Sequence, residues 1–357
     1  MKIGILGGSF NPVHKGHILV AEDAIKMLNL DKLYFVPNNK NPFKKARDYA
    51  DNQHRINMLK LVIKDKMEIS EFETNRGGNS YTIDTVKYFA KKFPNAELYL
   101  LIGSDNVNKL NKWKDIDQIS NLVKICVFNR NTNYSKLNIK KYQCMKLNNE
   151  FHDFSSTNYR KGNLWQVENE VQKYIGKNFL YFDEIAKNNL SIERYKHLAF
   201  TAEFAATLAK ENNFPIRLAY QAGYMHDITK EWDLNTSWSF LAKYGFNEGN
   251  LPSYKIHQTT AYFWLRDYYQ YANELVLNAI KIHTSLAMEL NLLDKILFVA
   301  DKICLGRKWA GVQKLRNQAF IDFEEGFRAV VRANNQWNQE KNVDFTPEQV
   351  EINRKWS

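Results

Sequence analysis

The chain has 357 residues, 44% of them hydrophobic, and its 50 Lys and Arg against 39 Asp and Glu give a formal net charge of +11. This length predicts about two compact domains, and no apolar run approaches the roughly 18 residues of a membrane span, so we expect no membrane association. The basic residues are scattered apart from a short patch at Lys40–Arg47, which favours polyanionic small substrates over a nucleic-acid partner. Three widely spaced cysteines and the lack of a signal-peptide pattern predict reduced thiols and a cytoplasmic protein.

The first half of the chain alternates short apolar strands with helices. The predicted strands are Ile3–Leu6, Lys32–Val36, Met67–Ser70, Glu97–Ile102 and Lys124–Phe128, and the predicted helices include Asn52–Lys64 and Thr82–Lys92. This alternation is typical of a parallel sheet covered on both faces, in which ligands bind beyond the carboxyl ends of the strands. We therefore expect function at that edge, where Gly7–His17, Asn38–Lys45, Gly103–Asp105 and Arg130 fall.

The most specific stretch is Gly7–His17, which reads Gly-Gly-Ser-Phe-Asn-Pro-Val-His-Lys-Gly-His and joins the first strand to the first helix. Gly7 and Gly8 are expected to let the backbone turn sharply and approach a ligand, and the helix that follows offers unpaired N–H groups to an anion. His14 and His17 are three residues apart at the entry to this helix. Both imidazoles are therefore expected to face one phosphate and to neutralise charge that develops there.

The same stretch resembles the His-x-Gly-His phosphate-binding signature of the nucleotidyltransferase superfamily, and its prefix is similar to that of nicotinate-nucleotide adenylyltransferases. The segments Glu73–Thr85, Gly103–Asp105 with Trp113, and Phe154–Arg160 are similar to the same family. This resemblance covers about residues 1–183. It implies a Rossmann-like doubly wound parallel sheet and adenylyl transfer from ATP to nicotinate mononucleotide, with Mg2+ accompanying the ATP phosphates.

The resemblance also implies roles for individual side chains. Trp113 would stack on the electron-poor nicotinate ring, while Thr82 and nearby backbone amides would hold its carboxylate. Ser156, Thr157 and Arg160 would grip the departing pyrophosphate. The predicted catalytic residues are His14, His17 and Arg160, and the other predicted substrate-binding residues are Gly7, Gly8, Ser9, Phe10, Asn11, Lys44, Gly103, Asp105 and Arg130.

From Ser191 onward the strands stop, and apolar residues recur at helical spacing, for example between Tyr195 and Leu208. We therefore predict a first domain of residues 1–186 and an all-helical second domain of residues 187–357. The segment after Gln336 is polar and carries a proline, so a loose tail and a packing helix both stay open.

The second half carries His and Asp side chains of the types that bind Mn, Fe or Zn. The candidate metal ligands are His197, His226, Asp227, His257, His283 and Asp301. The adjacent His226 and Asp227 face one point only where a helix bends or ends. Of the six, His257 and His283 would serve a second metal, with Asp227 placed to bridge. A water shared by two such cations loses a proton near neutral pH and is then able to attack phosphorus. The scattered spacing of the six candidate ligands, taken alone, leaves metal binding open.

The segments Arg194–His197, Ala219–Lys230, His283–Thr284 and Ala300–Ile303, with Arg307, resemble the HD-superfamily phosphohydrolases. The likeness is greatest to the bacterial branch that cleaves diadenosine tetraphosphate symmetrically to two ADP. It implies an HD domain with one or two divalent metals, often iron.

The two resemblances together imply a bifunctional enzyme. It would make deamido-NAD and pyrophosphate, and it would hydrolyse a dinucleoside polyphosphate with Asp227 and Lys230 as catalytic residues and Arg307 on the substrate's phosphates. The alternative is an adenylyltransferase that uses nicotinamide mononucleotide or phosphopantetheine and carries a non-catalytic, nucleotide-sensing HD module. The identity of the metal, homo-oligomerisation and coupling between the two sites stay open.

Overall fold

A computed structural model of the chain describes residues 1–40, 50–130, 134, 136–150 and 153–357. The chain forms two compact units, Met1–Tyr174 and Ile175–Ser357. None of the described helices combines the length and the apolar character that crossing a membrane requires.

The described part of the first unit contains a parallel sheet of six strands. The strands are β1 (Lys2–Gly8), β2 (Lys32–Pro37), β3 (Met67–Ile69), β4 (Glu97–Gly103), β5 (Lys124–Phe128) and β6 (Met145–Lys146). Their order is β3-β2-β1-β4-β5-β6, so the direction of winding reverses between β1 and β4. The predicted doubly wound sheet is confirmed, while β6 was not predicted because its two residues are too short to show a pattern.

Helices cover this sheet and bury its apolar side chains. They are α1 (Lys15–Leu28), α2 (Asn52–Lys60), α3 (Phe72–Arg76), α4 (Thr82–Lys92), α5 (Ser104–Val107), α6 (Ile116–Leu122), α7 (Lys136–Lys141) and α8 (Ser156–Arg160), and α9 (Asn169–Asn178) leads on to the second unit. Alternate residues of β1, Ile3 and Ile5, belong to one core cluster with Val86 and Phe89 of α4. This core holds the carboxyl ends of β1 and β4 side by side.

The second unit is helical throughout its described residues. Its helices are α10 (Phe182–Asn189), α11 (Ile192–Glu211), α12 (Ile216–Met225), α13 (Leu234–Leu241), α14 (Ile256–Phe263), α15 (Glu274–Ile282), α16 (Leu292–Ile303), α17 (Val312–Ile321), α18 (Phe323–Glu340) and α19 (Pro347–Trp356). The long helix α11 packs against α12 and α16. Gly223 permits the close approach of α11 and α12, because a Cβ there would lie 2.8 Å from the backbone of Ala202.

The C-terminal segment ends in a packing helix rather than a loose tail. Its last helix, α19, begins with Pro347 in the first turn and is capped by Thr346, whose side chain accepts the backbone N–H of Gln349. Gln349, Ile352 and Trp356 lie on its buried face. The segment is therefore an integral part of the second unit.

Candidate active sites

A cavity of about 930 Å³ opens at the carboxyl ends of β1 and β4, where the strand order reverses. Among the described residues its lining includes Gly7, Gly8, Ser9, Asn11, His14, His17, Thr82, Gly103, Asp105, Trp113, Arg130, Ser156, Thr157 and Arg160. Phe10 is fully buried, and its ring packs against that of Phe35 at 5.5 Å. Lys44 and most of the basic patch at Lys40–Arg47 lie outside the described residues. The structure thus brings the other predicted site residues of the first half to this cavity, except that Phe10 is buried and does not belong to the lining.

The loop after β1 differs from its prediction in one respect. Gly7 and Gly8 are the last residues of β1, and the positive φ of the loop, 45°, belongs to Phe10. A Cβ on Gly8 would lie 2.9 Å from the Phe10 ring, whereas a Cβ built on Gly7 has no described residue other than its chain neighbours within 4 Å. The predicted sharp turn at the glycines is therefore wrong. They leave room instead, Gly8 for the Phe10 ring and Gly7 on the side of the cavity.

His14 and His17 meet where α1 begins. Their rings stack with centroids 3.6 Å apart, and Nδ1 of His17 accepts the backbone N–H of His14 at 3.1 Å. Burial of His14, reinforced by the charge of Arg130, lowers the pKa of its imidazole to about 3. His14 is therefore neutral near pH 7 and is suited to hydrogen bonding, not to the neutralisation of charge that we expected of both rings.

Two further segments bring polar groups to the same loop. Arg160 donates to the carbonyl of Asn11, and the hydroxyl of Ser156 donates to the carbonyl of Pro12 at 2.8 Å. The guanidinium of Arg130, which follows β5, lies 3.8 Å from the carboxylate of Asp105, which follows β4. The cavity wall beside the histidines thus carries the two guanidinium groups that the sequence predicted.

The cavity lining also includes the aromatic side chains of Tyr81 and Trp113, called the aromatic wall below. Trp113 is half-buried and lines the cavity together with Tyr81 and Thr82, which stand at the start of α4. The ammonium group of Lys114 lies 4.8 Å from the centre of the Tyr81 ring. Aromatic side chains and the Thr82 residue therefore belong to the same cavity lining as the two histidines.

Sequence reasoning missed Arg55 on α2, which is fully buried. Its guanidinium donates to the carbonyls of Ser9 at 2.7 Å, Asn38 at 2.7 Å and Ala50 at 3.1 Å. It therefore joins the loop after β1 to the segments that follow β2 and precede α2. An arginine within a polar helix is usually exposed, so nothing in the surrounding sequence signalled this role.

In the second unit, α12 ends just before His226, so His226 and Asp227 leave the helical repeat, as predicted. Asp227 Oδ2 lies 3.5 Å from Nε2 of His226 and 4.0 Å from Nε2 of His197. Asp227 Oδ1 lies 3.6 Å from Nε2 of His257 and 3.5 Å from Nε2 of His283. The two oxygens of one carboxylate thus face two separate pairs of imidazoles.

Asp301 lies beside the pair of imidazoles formed by His197 and His226. Its Oδ1 lies 3.0 Å from Nε2 of His197 and 3.6 Å from Nε2 of His226. Burial lowers the pKa of His226, but the Asp227 and Asp301 carboxylates outweigh it and raise that pKa to about 9. Burial raises the pKa of both carboxyl groups, yet the surrounding positive groups, including His226, hold each pKa well below its usual range. All six predicted ligands therefore converge on one cluster.

Backbone carbonyls orient two of the rings. Nδ1 of His226 donates to Gly223 at 2.8 Å and Nδ1 of His283 donates to Ile280 at 2.7 Å, which leaves each Nε2 directed at the cluster. Nε2 of His226 and Oδ1 of Asp227 are buried without a hydrogen-bond partner among the described residues. Unpartnered imidazole nitrogen and carboxylate oxygen atoms in one buried cluster fit a divalent cation such as Mn, Fe or Zn.

The predicted phosphate-binding cations lie beside this cluster. Lys230 Nζ is 3.1 Å from both ring nitrogens of His257, and Arg307 Nη2 is 3.1 Å from Oδ1 of Asp301.

Two further cations, Arg194 and Lys302, were not predicted as site residues. Arg194 Nη1 lies 2.7 Å from Oδ2 of Asp227, and Lys302 Nζ lies 2.6 Å from Oδ2 of Asp301. Arg194 lies three residues before His197 on α11, and this helical spacing could have identified Arg194 as a site residue.

Comparison with known proteins gives matches to both units. Residues 5–162 match the family model described as Cytidylyltransferase-like, and residues 194–305 match that of the HD domain. The division at residues 174 and 175 and the boundary predicted at residue 186 both lie between these matches.

Three relatives cover large parts of the chain or of their own length. A Mycoplasma pneumoniae protein named probable nicotinate-nucleotide adenylyltransferase/Ap4A hydrolase is 32% identical over 304 residues, which is 84% of this chain and 87% of that protein. A Mycoplasma genitalium protein of the same name is 32% identical over 322 residues, 87% of this chain and 90% of that protein. The nicotinate-nucleotide adenylyltransferase of Bacillus subtilis is 35% identical over 193 residues, 50% of this chain and 98% of that enzyme. The chain therefore belongs to the nicotinate-nucleotide adenylyltransferase/Ap4A hydrolase family, whose members join a nucleotidyltransferase to an HD hydrolase-type domain.

Proposed function

We propose that the first unit transfers the adenylyl group of ATP to nicotinate mononucleotide and releases pyrophosphate. The observation that carries this proposal is one cavity whose lining combines residues of the loop after β1 with the aromatic wall. The product would be deamido-NAD, an intermediate of NAD biosynthesis. The names of the relatives from Mycoplasma and Bacillus support the same reaction.

In this reaction a phosphate oxygen of the mononucleotide forms a bond to the α-phosphorus of ATP, and the bond from that phosphorus to the bridging oxygen of pyrophosphate breaks. The chain contributes by positioning and by charge stabilisation. Neutral His14 would donate a hydrogen bond, whereas His17 and the Arg160 guanidinium would face the phosphate groups. We propose that Mg2+ accompanies ATP and that no covalent enzyme intermediate forms.

The aromatic wall would select the acceptor. Trp113 would stack on the nicotinate ring, and Thr82 would hold its carboxylate. Paired kinetics with nicotinate and nicotinamide mononucleotide test this assignment, since we expect a clear preference for the acid. Equal kcat/KM values for the two, or turnover of phosphopantetheine alone, would favour the alternative acceptors.

We further propose that the second unit hydrolyses a phosphoanhydride bond of a dinucleoside polyphosphate, with diadenosine tetraphosphate giving two ADP. The observation that carries this proposal is the division of the Asp227 carboxylate between two pairs of imidazoles. Two groups of side chains are close enough to hold a cation: His197, His226 and Asp301, and His226, Asp227 and His283. Divalent cations bound there would polarise phosphate oxygens and acidify water.

The positive side chains around the cluster match such a substrate. Arg194, Lys230, Lys302 and Arg307 all reach carboxylates or an imidazole of the cluster. Guanidinium and ammonium groups in this position would bind a chain of phosphates and orient it toward the cluster. Iron and manganese are the metals we propose to test first.

Product analysis tests the second reaction. The chain is incubated with diadenosine tetraphosphate and Mn2+ or Fe2+, and the nucleotides are separated by chromatography. We expect ADP as the main product, because symmetrical cleavage gives two identical halves. AMP and ATP in equal amounts would contradict the symmetry, and binding without turnover would favour the nucleotide-sensing alternative.

A further inference from the structure

The segment of residues 284–289, called the ligand turn below, follows His283 directly. At its centre Leu286 is buried and has a φ of 60°, in the left-handed region that glycine favours. This conformation costs a non-glycine residue about 1–2 kcal/mol and persists only where the surroundings hold it in place. The ligand turn is therefore held by contacts from outside it.

The first set of contacts comes from Gln258, the buried neighbour of His257 on α14. Its Oε1 accepts the backbone N–H groups of Thr284 at 3.0 Å and Ser285 at 3.2 Å, and its Nε2 donates to Oγ of Ser285 at 2.9 Å. In addition, Oγ1 of Thr284 lies 3.0 Å from Nε2 of His257. The ligand turn is thus joined directly to the element that carries His257.

The second set of contacts comes from α19. Gln349 Nε2 donates to the carbonyl of Ser285 at 2.6 Å, and Trp356 Nε1 donates to that of Ala287 at 2.8 Å. Lys355 Nζ donates to the carbonyl of Met288 at 2.6 Å. One helix therefore satisfies three carbonyl groups of the ligand turn.

The helix α19 lies well beyond residue 305, where the HD match ends. We propose that it is a positioning element of the metal centre, which holds the ligand turn and thereby fixes the direction of His283 Nε2 and its 3.2 Å separation from His257 Nε2. This inference rests on the proposed function of the cluster as a metal centre. Gln349 and Trp356 act through the ligand turn and touch no proposed metal ligand.

The test is the affinity of the full-length chain for Mn2+, measured by isothermal titration calorimetry. Gln349→Met and Trp356→Phe each remove a hydrogen-bond donor and put an apolar side chain of similar shape in its place. Loss of the hydrogen bonds that orient a ligand weakens metal binding about 10–100-fold, and because these residues act one step further away we expect about tenfold for the double variant. The Asp227→Asn chain gives the baseline for Mn2+ bound elsewhere.

Two controls separate positioning from stability. Glu351→Ala changes an exposed residue of the same helix and should leave both Tm and Mn2+ affinity unchanged. Leu241→Ala opens the core at α13, remote in sequence from the ligand turn, and should lower Tm with no loss of affinity. Circular dichroism confirms that each variant is folded.

The outcomes distinguish the two levels of the proposal. If wild type and Asp227→Asn bind Mn2+ identically, the metal centre itself is wrong. Suppose that wild type binds Mn2+ at the centre but the double variant keeps its Mn2+ affinity. The positioning role of α19 is then overturned, and it is also overturned if the double variant loses no more Mn2+ affinity than Leu241→Ala does at an equal decrease in Tm. An affinity loss well beyond that control supports it.

Discussion

Replacing Arg55 by leucine removes the side chain that joins three segments beside the adenylyltransferase cavity. Two of its hydrogen bonds, both 2.7 Å, reach the carbonyls of Ser9 and Asn38. Ser9 belongs to the loop after β1, and both Ser9 and Asn38 line the cavity. The substitution therefore perturbs the loop without touching any residue proposed to contact the reacting atoms.

The size of the effect follows from the number of bonds. Hydrogen bonds that involve a charged group contribute about 1.5–3 kcal/mol each, so two of them correspond to roughly 3–6 kcal/mol. Leucine also removes the cost of burying a charge. We therefore expect the free energy of unfolding of the first unit to decrease by about 3 kcal/mol, the lower end of this range. A displaced loop lowers kcat/KM by roughly tenfold or more, because small misplacements of reacting groups are costly.

The assay follows deamido-NAD formation from ATP and nicotinate mononucleotide, together with thermal unfolding. Arg55→Lys keeps the charge but not the planar fork of donors, so we expect a smaller loss of kcat/KM than for leucine. Gln53→Ala on the exposed side of the same helix is the control and should match wild type. Wild-type kcat/KM and Tm in Arg55→Leu would refute the reasoning.

Three further outcomes are expected. The His14 ring should stay neutral from pH 8 to pH 5 in 15N-imidazole spectra, because its pKa is lowered to about 3. The unfolded chain takes up the proton first, near the ordinary pKa of about 6.5, so the free energy of unfolding falls as the pH drops through that range. Protonation of the folded ring at pH 6 would contradict this. Trp113→Ala should raise KM for nicotinate mononucleotide about tenfold and leave KM for ATP within about twofold, since stacking contributes roughly 1–3 kcal/mol; equal changes in both constants would count against the assigned wall. Mn2+ affinity should increase from pH 6 to pH 8, because His226, whose pKa is raised to about 9, must lose its proton to bind a metal. Calorimetry in two buffers would detect the released protons. A pH-independent affinity would argue against His226 as a ligand.

Five of the six described strands, and the edge that carries the candidate site, could be predicted from the sequence because most of these strands are apolar runs followed by polar residues. Residues such as Asp105 and Arg130 come soon after strands, and parallel strands bring their carboxyl ends to one edge. Residues that act through burial could not be found in this way. Arg55 has the sequence surroundings of an exposed helix residue, and only tertiary contacts make it internal.

The candidate metal centre shows a similar limit. The sequence predicts its residue types and the break after α12 that frees His226 and Asp227 from the helical repeat. It also predicts Asp227 as a bridge between two sets of imidazoles. It does not predict which carboxylate oxygen faces which pair, because this depends on how four helices meet. Nor does local sequence connect Gln349 to a turn more than sixty residues earlier in the chain.

The central claim is that one chain carries two distinct active sites, and paired assays of two variants test it most directly. Wild type should form deamido-NAD from ATP and nicotinate mononucleotide, and ADP from diadenosine tetraphosphate with Mn2+. We predict that Asp227→Asn loses only ADP formation and that His17→Ala loses only deamido-NAD formation. Undiminished ADP formation by Asp227→Asn, or undiminished deamido-NAD formation by His17→Ala, would contradict the account.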